Sequence, residues 1–189
     1  MRGEMSVSSI TAAPPRGLPD GWERLFAAVL SDALDGAGCM TQAMAPHIRP
    51  LDDTLRLCGR ARTGRYVEVD GVAPGVNPYE LEIAIVDDLK PGEVAVFACG
   101  GSRKIAPWGA LLSAAVRARG AVGCVTDGFV RDIQDIRRMQ VPVFHGGIAP
   151  LDSKGRGHIV EIDVPVTCGE PHSRPVLASK LAHHGRLLM

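Results

Sequence analysis

The most specific chemistry in the sequence belongs to Arg131 and Asp132, at the end of the segment TDGFVRD (126–132). An arginine can hold a carboxylate through two parallel hydrogen bonds, and an aspartate can bind a hard divalent cation such as Mg²⁺. Simpler roles are equally open, because Asp132 could cap the helix that follows it and Arg131 could form an ion pair at the surface.

A second loop, CGGSRKIAPWGALL (99–112), ends where a helix is predicted to begin near Gly109. The backbone N–H groups of Ala110, Leu111 and Leu112 would have no partner within that helix, and together they could bind an anion. A glycine at position 109 would let a ligand approach the backbone closely. Taken alone, an ordinary helix start with its N–H groups bonded to water is the commoner arrangement.

Both loops leave predicted strands of one parallel sheet. Strands are predicted in the apolar segments 93–99, 121–128 and 141–146, and helices in the segments between them, 107–120 and 131–139. This alternation predicts a parallel βαβαβ core with right-handed crossovers. Ligands of such sheets bind beyond the carboxyl ends of the strands, where the two loops would face each other. An anion-binding helix start, an arginine and a carboxylate at that edge fit a small carboxylic acid chelated to a metal ion.

Further elements are predicted on both sides of this core. Apolar residues recur at helical spacing from Trp22 to Leu34, which predicts a helix that ends at Gly36 and turns its apolar stripe toward the core. Residues 57–70 are typical of one or two strands with a glycine turn, and residues 158–166 of a last strand.

Another helix is predicted over residues 77–88 (NPYELEIAIVDD). Asn77 is its expected N-cap, Pro78 its first helical residue, and Glu80 stands at the capping-box position.

The length and composition predict one soluble domain. A chain of 189 residues with 46% hydrophobic residues buries about 70% of its unfolded surface, which is enough for one core. We expect residues 1–20, rich in serine, alanine and proline, to be a mobile N-terminal arm. Residues 21–169 would form a single α/β domain.

The charge balance excludes some classes of partner. There are 21 basic and 21 acidic residues, so the net charge is zero, and the electrostatic signature of a nucleic-acid or membrane-surface binder is missing. None of the five cysteines forms a C-x-x-C pair, and Cys99 and Cys124 lie in apolar runs, as buried free thiols do. With no signal peptide or membrane-spanning run, these features predict a cytoplasmic protein.

From about residue 31 to 169 the chain resembles a known family, that of the regulator of ribonuclease E activity A. The family also contains the 4-hydroxy-4-methyl-2-oxoglutarate aldolases, and its members are often mislabelled demethylmenaquinone methyltransferases. The resemblance rests on the segments SDALDGAG, GRARTGR, LKPGEVAVF, APWGALLSAAVRARGAVGCVTDGFVRDI, VPVFHGGIAP and DVPVTCG.

The resemblance implies an α/β sandwich like a swivelling phosphohistidine domain, assembled as a homotrimer or hexamer with active sites at the subunit boundaries. In aldolase-type members, the positions matching residues 109–112 bind the substrate carboxylate through backbone N–H groups. Arg131 matches the substrate-binding arginine and Asp132 the Mg²⁺ or Mn²⁺ ligand. The implied reaction is a metal-dependent retro-aldol cleavage that releases pyruvate from a 2-oxo dicarboxylic acid, accompanied by oxaloacetate decarboxylation.

Two departures from the family pattern predict impaired activity. Ala110 stands where aldolase-type members carry an acidic residue, which would hold a metal-bound water molecule. Residues 170–189 form an atypical C-terminal tail that matches none of the family's closing segment, and we expect it to be poorly ordered or merely to pack. The alternatives are therefore a non-catalytic, protein-binding regulator of a ribonuclease, or a truncated copy without activity.

Overall fold

The computed structural model describes residues 25–40, 43–169 and 186–188. Its centre is a row of four parallel strands, which are β2 (Cys58–Glu68), β3 (Glu93–Ala98), β4 (Gly123–Thr126) and β6 (Val143–His145). Antiparallel strands extend the sheet: β1 (Arg49–Pro50) pairs with β6, while β8 (Gly157–Ile162) and β9 (Arg186–Leu188) pair with β2. A separate two-stranded sheet joins β5 (Phe129–Val130) to β7 (Gly147–Ile148).

Three of the four helices in the described residues build the core on one face of the sheet. The helices are α1 (Ala27–Gly36), α2 (Glu80–Asp88), α3 (Ala110–Ala118) and α4 (Ile133–Met139). Strands β3, β4 and β6 lie in the order in which the chain forms them, so right-handed crossovers place α3 and α4 on the same face. The predicted α/β class and parallel βαβαβ core are confirmed.

The alternating residues of β3 divide the interior into two clusters. Ala95 and Phe97 face the helices, together with Ile85 of α2, Val116 of α3 and Ile136 of α4. On the other face, the neighbouring residues of β3 pack in a smaller cluster with the closing segment that contains the buried Val166 and Cys168. The sheet is therefore covered on both faces, as the layered architecture requires.

Helix α1 differs from its prediction, because none of its residues is buried. Phe26 just before it is 57% exposed and Val29 is 39% exposed, so the apolar stripe does not enter the core. Helices α2, α3 and α4 already fill the inner cluster on one face of the sheet, which leaves α1 no place in it. Trp22, the first residue of the predicted stripe, lies outside the described residues.

Strand β2 is one continuous strand, so the glycine turn predicted within residues 57–70 is wrong. Gly64 lies in its middle, where an added Cβ would come within 2.7 Å of Ile159 and 2.9 Å of Ile85. The glycine therefore allows close packing between the strand, its neighbour and α2, and it does not mark a change of direction.

Helix α2 begins at Glu80, two residues after the predicted first helical residue, Pro78. The side-chain oxygen of Asn77 accepts a 3.1 Å hydrogen bond from the N–H of Tyr79, which closes a turn before the helix. No side-chain capping bond forms at the helix start, so the predicted capping box is also wrong.

The last strand predicted from the sequence, β8, ends earlier than expected. Strand β8 ends at Ile162, before the predicted residue 166, because Asp163 takes a positive φ of 54° and its carboxylate bonds to Arg62.

The predicted N-terminal arm (1–20) lies outside the described residues, and of the predicted C-terminal tail (170–189) only β9 is described. No helix in the described ranges is long and apolar enough to cross a membrane.

Candidate active site

Two loops meet beyond the carboxyl ends of β3 and β4, as the sequence predicts. The N–H of Phe129 donates to the carbonyl of Ile105 (2.9 Å), and the N–H of Arg131 donates to the carbonyl of Trp108 (3.0 Å). These backbone bonds join the segment before α3 to the segment before α4, so Gly109 lies beside Arg131.

Trp108 anchors the start of α3. Its side chain is 1% exposed, and its ring meets Phe97 edge-on with the centroids 5.5 Å apart. The indole Nε1 donates to Ser113 Oγ at 2.8 Å, and this hydroxyl donates to the carbonyl of Gly109 at 2.9 Å. Because the indole and hydroxyl are both satisfied, the first turn of α3 has a fixed position relative to the sheet.

Asp132 bonds to a helix other than its own. It stands at the start of α4 but makes no side-chain bond there, and its Oδ2 accepts a 3.2 Å hydrogen bond from the N–H of Ala110. The open alternative that Asp132 caps its own helix is therefore wrong, since it caps α3. Asp132 also has a left-handed backbone, with φ 56° and ψ 35°, which is strained for a residue other than glycine.

The glycine at position 109 is required by this close packing. An added Cβ would lie 2.8 Å from Asp132 Oδ2 and 3.1 Å from Arg131 Cγ. The helical hydrogen bonds of α3 begin with the N–H of Ser113, which donates to the carbonyl of Gly109. Since Ala110 gives its N–H to Asp132, only those of Leu111 and Leu112 remain for a ligand.

Arg131 is half-buried between two carboxylates. Its Nη1 lies 3.5 Å from Asp152 Oδ2 and donates to the carbonyl of Leu151 at 3.4 Å, while its Nε lies 3.8 Å from Asp132 Oδ2. The ion pair expected as the simpler role is present. It also fixes the guanidinium at the wall of a cavity.

This cavity has a volume of about 400 Å³. Its lining includes five of the six predicted site residues, all except Ala110. The charged lining groups are Glu82, Asp87, Arg131, Asp132 and Asp152. A family model described as Aldolase/RraA, RraA-like, matches residues 27–176 of the chain. The chain belongs to the RraA-like family.

Relatives of this RraA-like chain include a protein of Halalkalibacterium halodurans that is 32% identical over 146 residues. Its name gives it a provisional 4-hydroxy-4-methyl-2-oxoglutarate aldolase activity, and the match covers 77% of our chain and 63% of that protein. Protein DlpA of Legionella pneumophila is 29% identical, over 74% of our chain and 22% of its own. The chain thus spans less than two thirds of either curated relative.

Among solved structures, RraAS2 of Streptomyces coelicolor is described as an unusual member of the RNase ES inhibitor RraA protein family. It superimposes with a TM-score of 0.68 and 25% identity, covering 84% of this RraA-like chain and 79% of its own. The RNA-processing inhibitor RraA from Thermus thermophilis superimposes with a TM-score of 0.60 and 24% identity, covering 84% of this chain and 85% of its own. This similarity shows that the two chains share a fold.

Sequence reasoning missed two polar residues that line the cavity of this RraA-like protein, Tyr79 and Asp152. The hydroxyl of Tyr79 donates to Asp152 Oδ2 at 2.9 Å. Burial and the bond to this carboxylate raise the pKa of Tyr79 to about 12. Burial acts to raise the pKa of Asp152, but bonds from Tyr79 and Lys154 and the charge of Arg131 together lower it. Neither residue belongs to a recognisable motif, because they meet only through the fold.

A third missed residue, Glu82, lies buried at 8% exposure on the inner face of α2. Its Oε2 accepts a hydrogen bond from the hydroxyl of Tyr66 and another from Ser153 Oγ at 3.4 Å. Burial raises the pKa of Glu82 to about 7, against the opposing effect of these two bonds. The sequence contains one signal for this residue. Glu82 stands one helical turn before the apolar Ile85 and Val86, so it lies on the same buried side of α2.

The carboxylate of Asp127, buried in the turn after β4, holds the surrounding loops together. One oxygen accepts the N–H of Cys99, and the other accepts those of Gly101 at 3.0 Å and Gly169 at 3.3 Å. Three segments distant in sequence are thereby tied behind the cavity.

The residues present fit a weakly held divalent cation. In the described part of the chain no group of three or more histidine, cysteine or acidic side chains converges on one point. Asp132, whose side chain is 45% exposed, still offers a carboxylate to the cavity. Mg²⁺ commonly binds through one or two carboxylates and completes its shell with oxygens of water and substrate, so Asp132 could hold it together with a bound acid.

Proposed function

We propose that the chain is a divalent-metal-dependent lyase that releases pyruvate from a 2-oxo dicarboxylic acid. The reaction type would be that of a 4-hydroxy-4-methyl-2-oxoglutarate aldolase or an oxaloacetate decarboxylase. The supporting observation is that Arg131, Asp132 and the first turn of α3 line one cavity beyond the sheet. Membership of a family that includes a relative with a provisional aldolase name supports the same reaction.

Each of these groups has a role in the proposal. Arg131, held in place by Asp152, binds one carboxylate of the acid. The N–H groups of Leu111 and Leu112 bind the other at the positive end of the α3 dipole. Asp132 is the ligand for Mg²⁺ or Mn²⁺, with its orientation set by the bond from Ala110.

Both cleavage of a carbon–carbon bond and loss of CO₂ leave negative charge on an enolate of pyruvate. Asp132 would hold the divalent cation, which would stabilise the negative charge that develops on the 2-oxo oxygen. Arg131, whose Nε lies 3.8 Å from Asp132 Oδ2, adds a second positive charge on the same side of the cavity. The buried Trp108 keeps water from the inner end of the cavity, which strengthens these interactions.

Ala110 changes the balance between the two reactions. Its methyl group cannot hold a metal-bound water molecule, and the loss of such support typically costs about 10–100-fold in metal affinity or activity. Aldol cleavage depends on proton transfer more than decarboxylation does, so we expect oxaloacetate to be the better test substrate.

The test is pyruvate release from oxaloacetate, measured with and without Mg²⁺ and against Mg²⁺ alone. Asp132→Asn is the informative variant, because asparagine tolerates the same left-handed backbone while losing the charge. We expect a loss of about 100-fold or more, since the metal ligand is removed. Asp135→Asn is the matched control, because Asp135 lies in the same helix, exposed and paired with Arg138. Equal activity of the wild type and Asp132→Asn would remove the proposed role of this carboxylate.

The second candidate is a protein-binding regulator of a ribonuclease. Ala110 favours it, as does the likeness to a structure described within an RNase inhibitor family. Binding of a purified ribonuclease, measured by calorimetry, together with no metal-dependent turnover would favour this function over the lyase.

A further inference from the structure

A buried carboxyl group, that of Glu82, forms part of the cavity wall but has no role in the reaction so far. It projects from α2 toward the sheet and is held by Tyr66 and Ser153. Among the described residues, no lysine, arginine or histidine forms an ion pair with it. Burying a carboxyl group without a cation lowers stability, and such groups concentrate at functional sites.

We propose that Glu82 is the acid–base residue of the cavity and carries the proton between substrate and product. This inference rests on the proposed lyase function. In aldol cleavage, the carboxylate of Glu82 takes the proton of the substrate's 4-hydroxyl group. The C3–C4 bond then breaks, C4 becomes a carbonyl carbon, and the electron pair passes into the enolate of pyruvate.

The second half of the reaction returns the proton. The carboxyl group of Glu82 donates it to C3 of the enolate, which gives pyruvate and restores the carboxylate. With oxaloacetate, the C3–C4 bond breaks to release CO₂, Glu82 protonates C3, and water replaces its proton. No oxidant or further reactant is needed in either case.

The other titratable groups of the cavity are less suited to this role. Asp152 accepts from Tyr79 and faces Arg131, both of which favour its charged form. The Tyr79 hydroxyl, with a pKa of about 12, holds its proton too tightly. Asp87 is paired with Arg119. Glu82 titrates near pH 7, where an acid–base residue is most effective.

The groups that face Glu82 come from six parts of the fold. They are Tyr66 from β2, Tyr79 from the segment before α2, Cys99 from the end of β3, Cys124 from β4, Arg131 from the segment before α4, and Asp152 with Ser153 from the segment after β7. Of these, only Arg131 is positively charged, and Asp152 opposes it. The protonation of Glu82 is therefore governed mainly by burial.

The test follows exchange of the methyl protons of pyruvate in deuterium oxide by proton NMR, with Mg²⁺ present. This exchange needs only an acid–base group and stabilisation of the enolate, and no bond to C4. We expect Glu82→Gln to slow the exchange by about 100-fold or more. Glu80→Gln, an exposed change in the first turn of the same helix, should exchange at the wild-type rate.

The outcomes separate this inference from the proposed function. If Glu82→Gln exchanges at the wild-type rate while Asp132→Asn no longer exchanges, the role of Glu82 is overturned and the proposed lyase function stands. Neither exchange nor pyruvate release by the wild-type protein would overturn both.

A second variant detects a merely structural effect. Tyr66→Phe removes the hydrogen bond that stabilises the Glu82 carboxylate, so the pH dependence of exchange should shift to higher pH. An equal fall in rate at every pH, with no shift, would mean that Glu82 only supports the wall and would overturn the proposal.

Discussion

At the scale of single residues, the tight contact between Gly109 and Asp132 is the first to test. Gly109→Ala places a Cβ 2.8 Å from Asp132 Oδ2 and 3.1 Å from Arg131 Cγ, so both side chains must move. Because misplacement of a catalytic group by about 1 Å can cost on the order of 100-fold, we expect a loss of that size in pyruvate release. Asp135→Asn is the control, because this side chain is exposed and paired with Arg138 in the helix that follows Asp132. Equal activity of both variants would contradict the packing described here.

The buried Glu82 also predicts how stability depends on pH. Its pKa is about 7 in the folded protein and 4.5 unperturbed. Below pH 4.5 both states hold the proton, and as the pH rises to about 7 the folded state loses stability relative to the unfolded state. The glutamine of Glu82→Gln does not titrate, so this variant does not lose stability in this way. Its free energy of unfolding, relative to that of the wild type, should therefore increase by roughly 3 kcal/mol between pH 4.5 and about pH 7. Urea unfolding at several pH values measures the gain, and a constant difference would contradict it.

These residues show what the sequence could and could not predict at the site. Arg131, Asp132 and Gly109 stand next to predicted strand ends and helix starts, so their meeting follows from the topology of a parallel sheet. That Asp132 would cap α3 depends on its left-handed backbone, which the sequence does not reveal. Glu82, Tyr79 and Asp152 come from separate elements, and only the packed fold brings them to one cavity.

At the scale of elements, Asp127 joins three segments behind the cavity, so its loss should be felt by the whole site. Asp127→Asn replaces one accepting oxygen by a donor that faces backbone N–H groups of Cys99, Gly101 or Gly169. With bonds to charged groups contributing about 1.5–3 kcal/mol each, we expect a destabilisation of about 2–4 kcal/mol in chemical unfolding. The exposed Asp135→Asn should change stability by less than about 0.5 kcal/mol. A similarly small effect of both changes would show that these bonds contribute little.

The sequence predicts helices and strands correctly where local residues determine them. Its predictions are wrong where packing against residues distant in sequence determines the structure. Helix α3 was predicted from its apolar spacing and from glycines on both sides, and it forms from Ala110 to Ala118. The turn expected within β2 failed, because Gly64 serves close packing against neighbours that are remote in sequence. The buried face expected for α1 failed for a related reason, since periodicity shows that a face is apolar and does not show what covers it.

At the scale of the whole molecule, the uncovered apolar face of α1 requires an explanation. Phe26 is 57% exposed and Val29 39% exposed, and at the mouth of the cavity Leu111 is 82% exposed. Phe26 and Val29 are three residues apart and so share one side of the helix, and exposed apolar patches of this kind often mark a protein–protein contact. We propose that the protein is a homotrimer or hexamer in which α1 lies at the subunit boundary.

Light scattering after size-exclusion chromatography tests this assembly. We expect a mass three or six times the 20.0 kDa of one chain, and a smaller mass for the double variant Phe26→Asp with Val29→Asp, because charge would be buried at the boundary. Asp32→Asn, in the same helix and already exposed, should keep the wild-type mass. A wild-type mass of one chain would contradict the assembly, and an unchanged mass for the double variant would remove α1 from the boundary. If pyruvate release fell together with the mass, the cavity would need a neighbouring subunit to be complete.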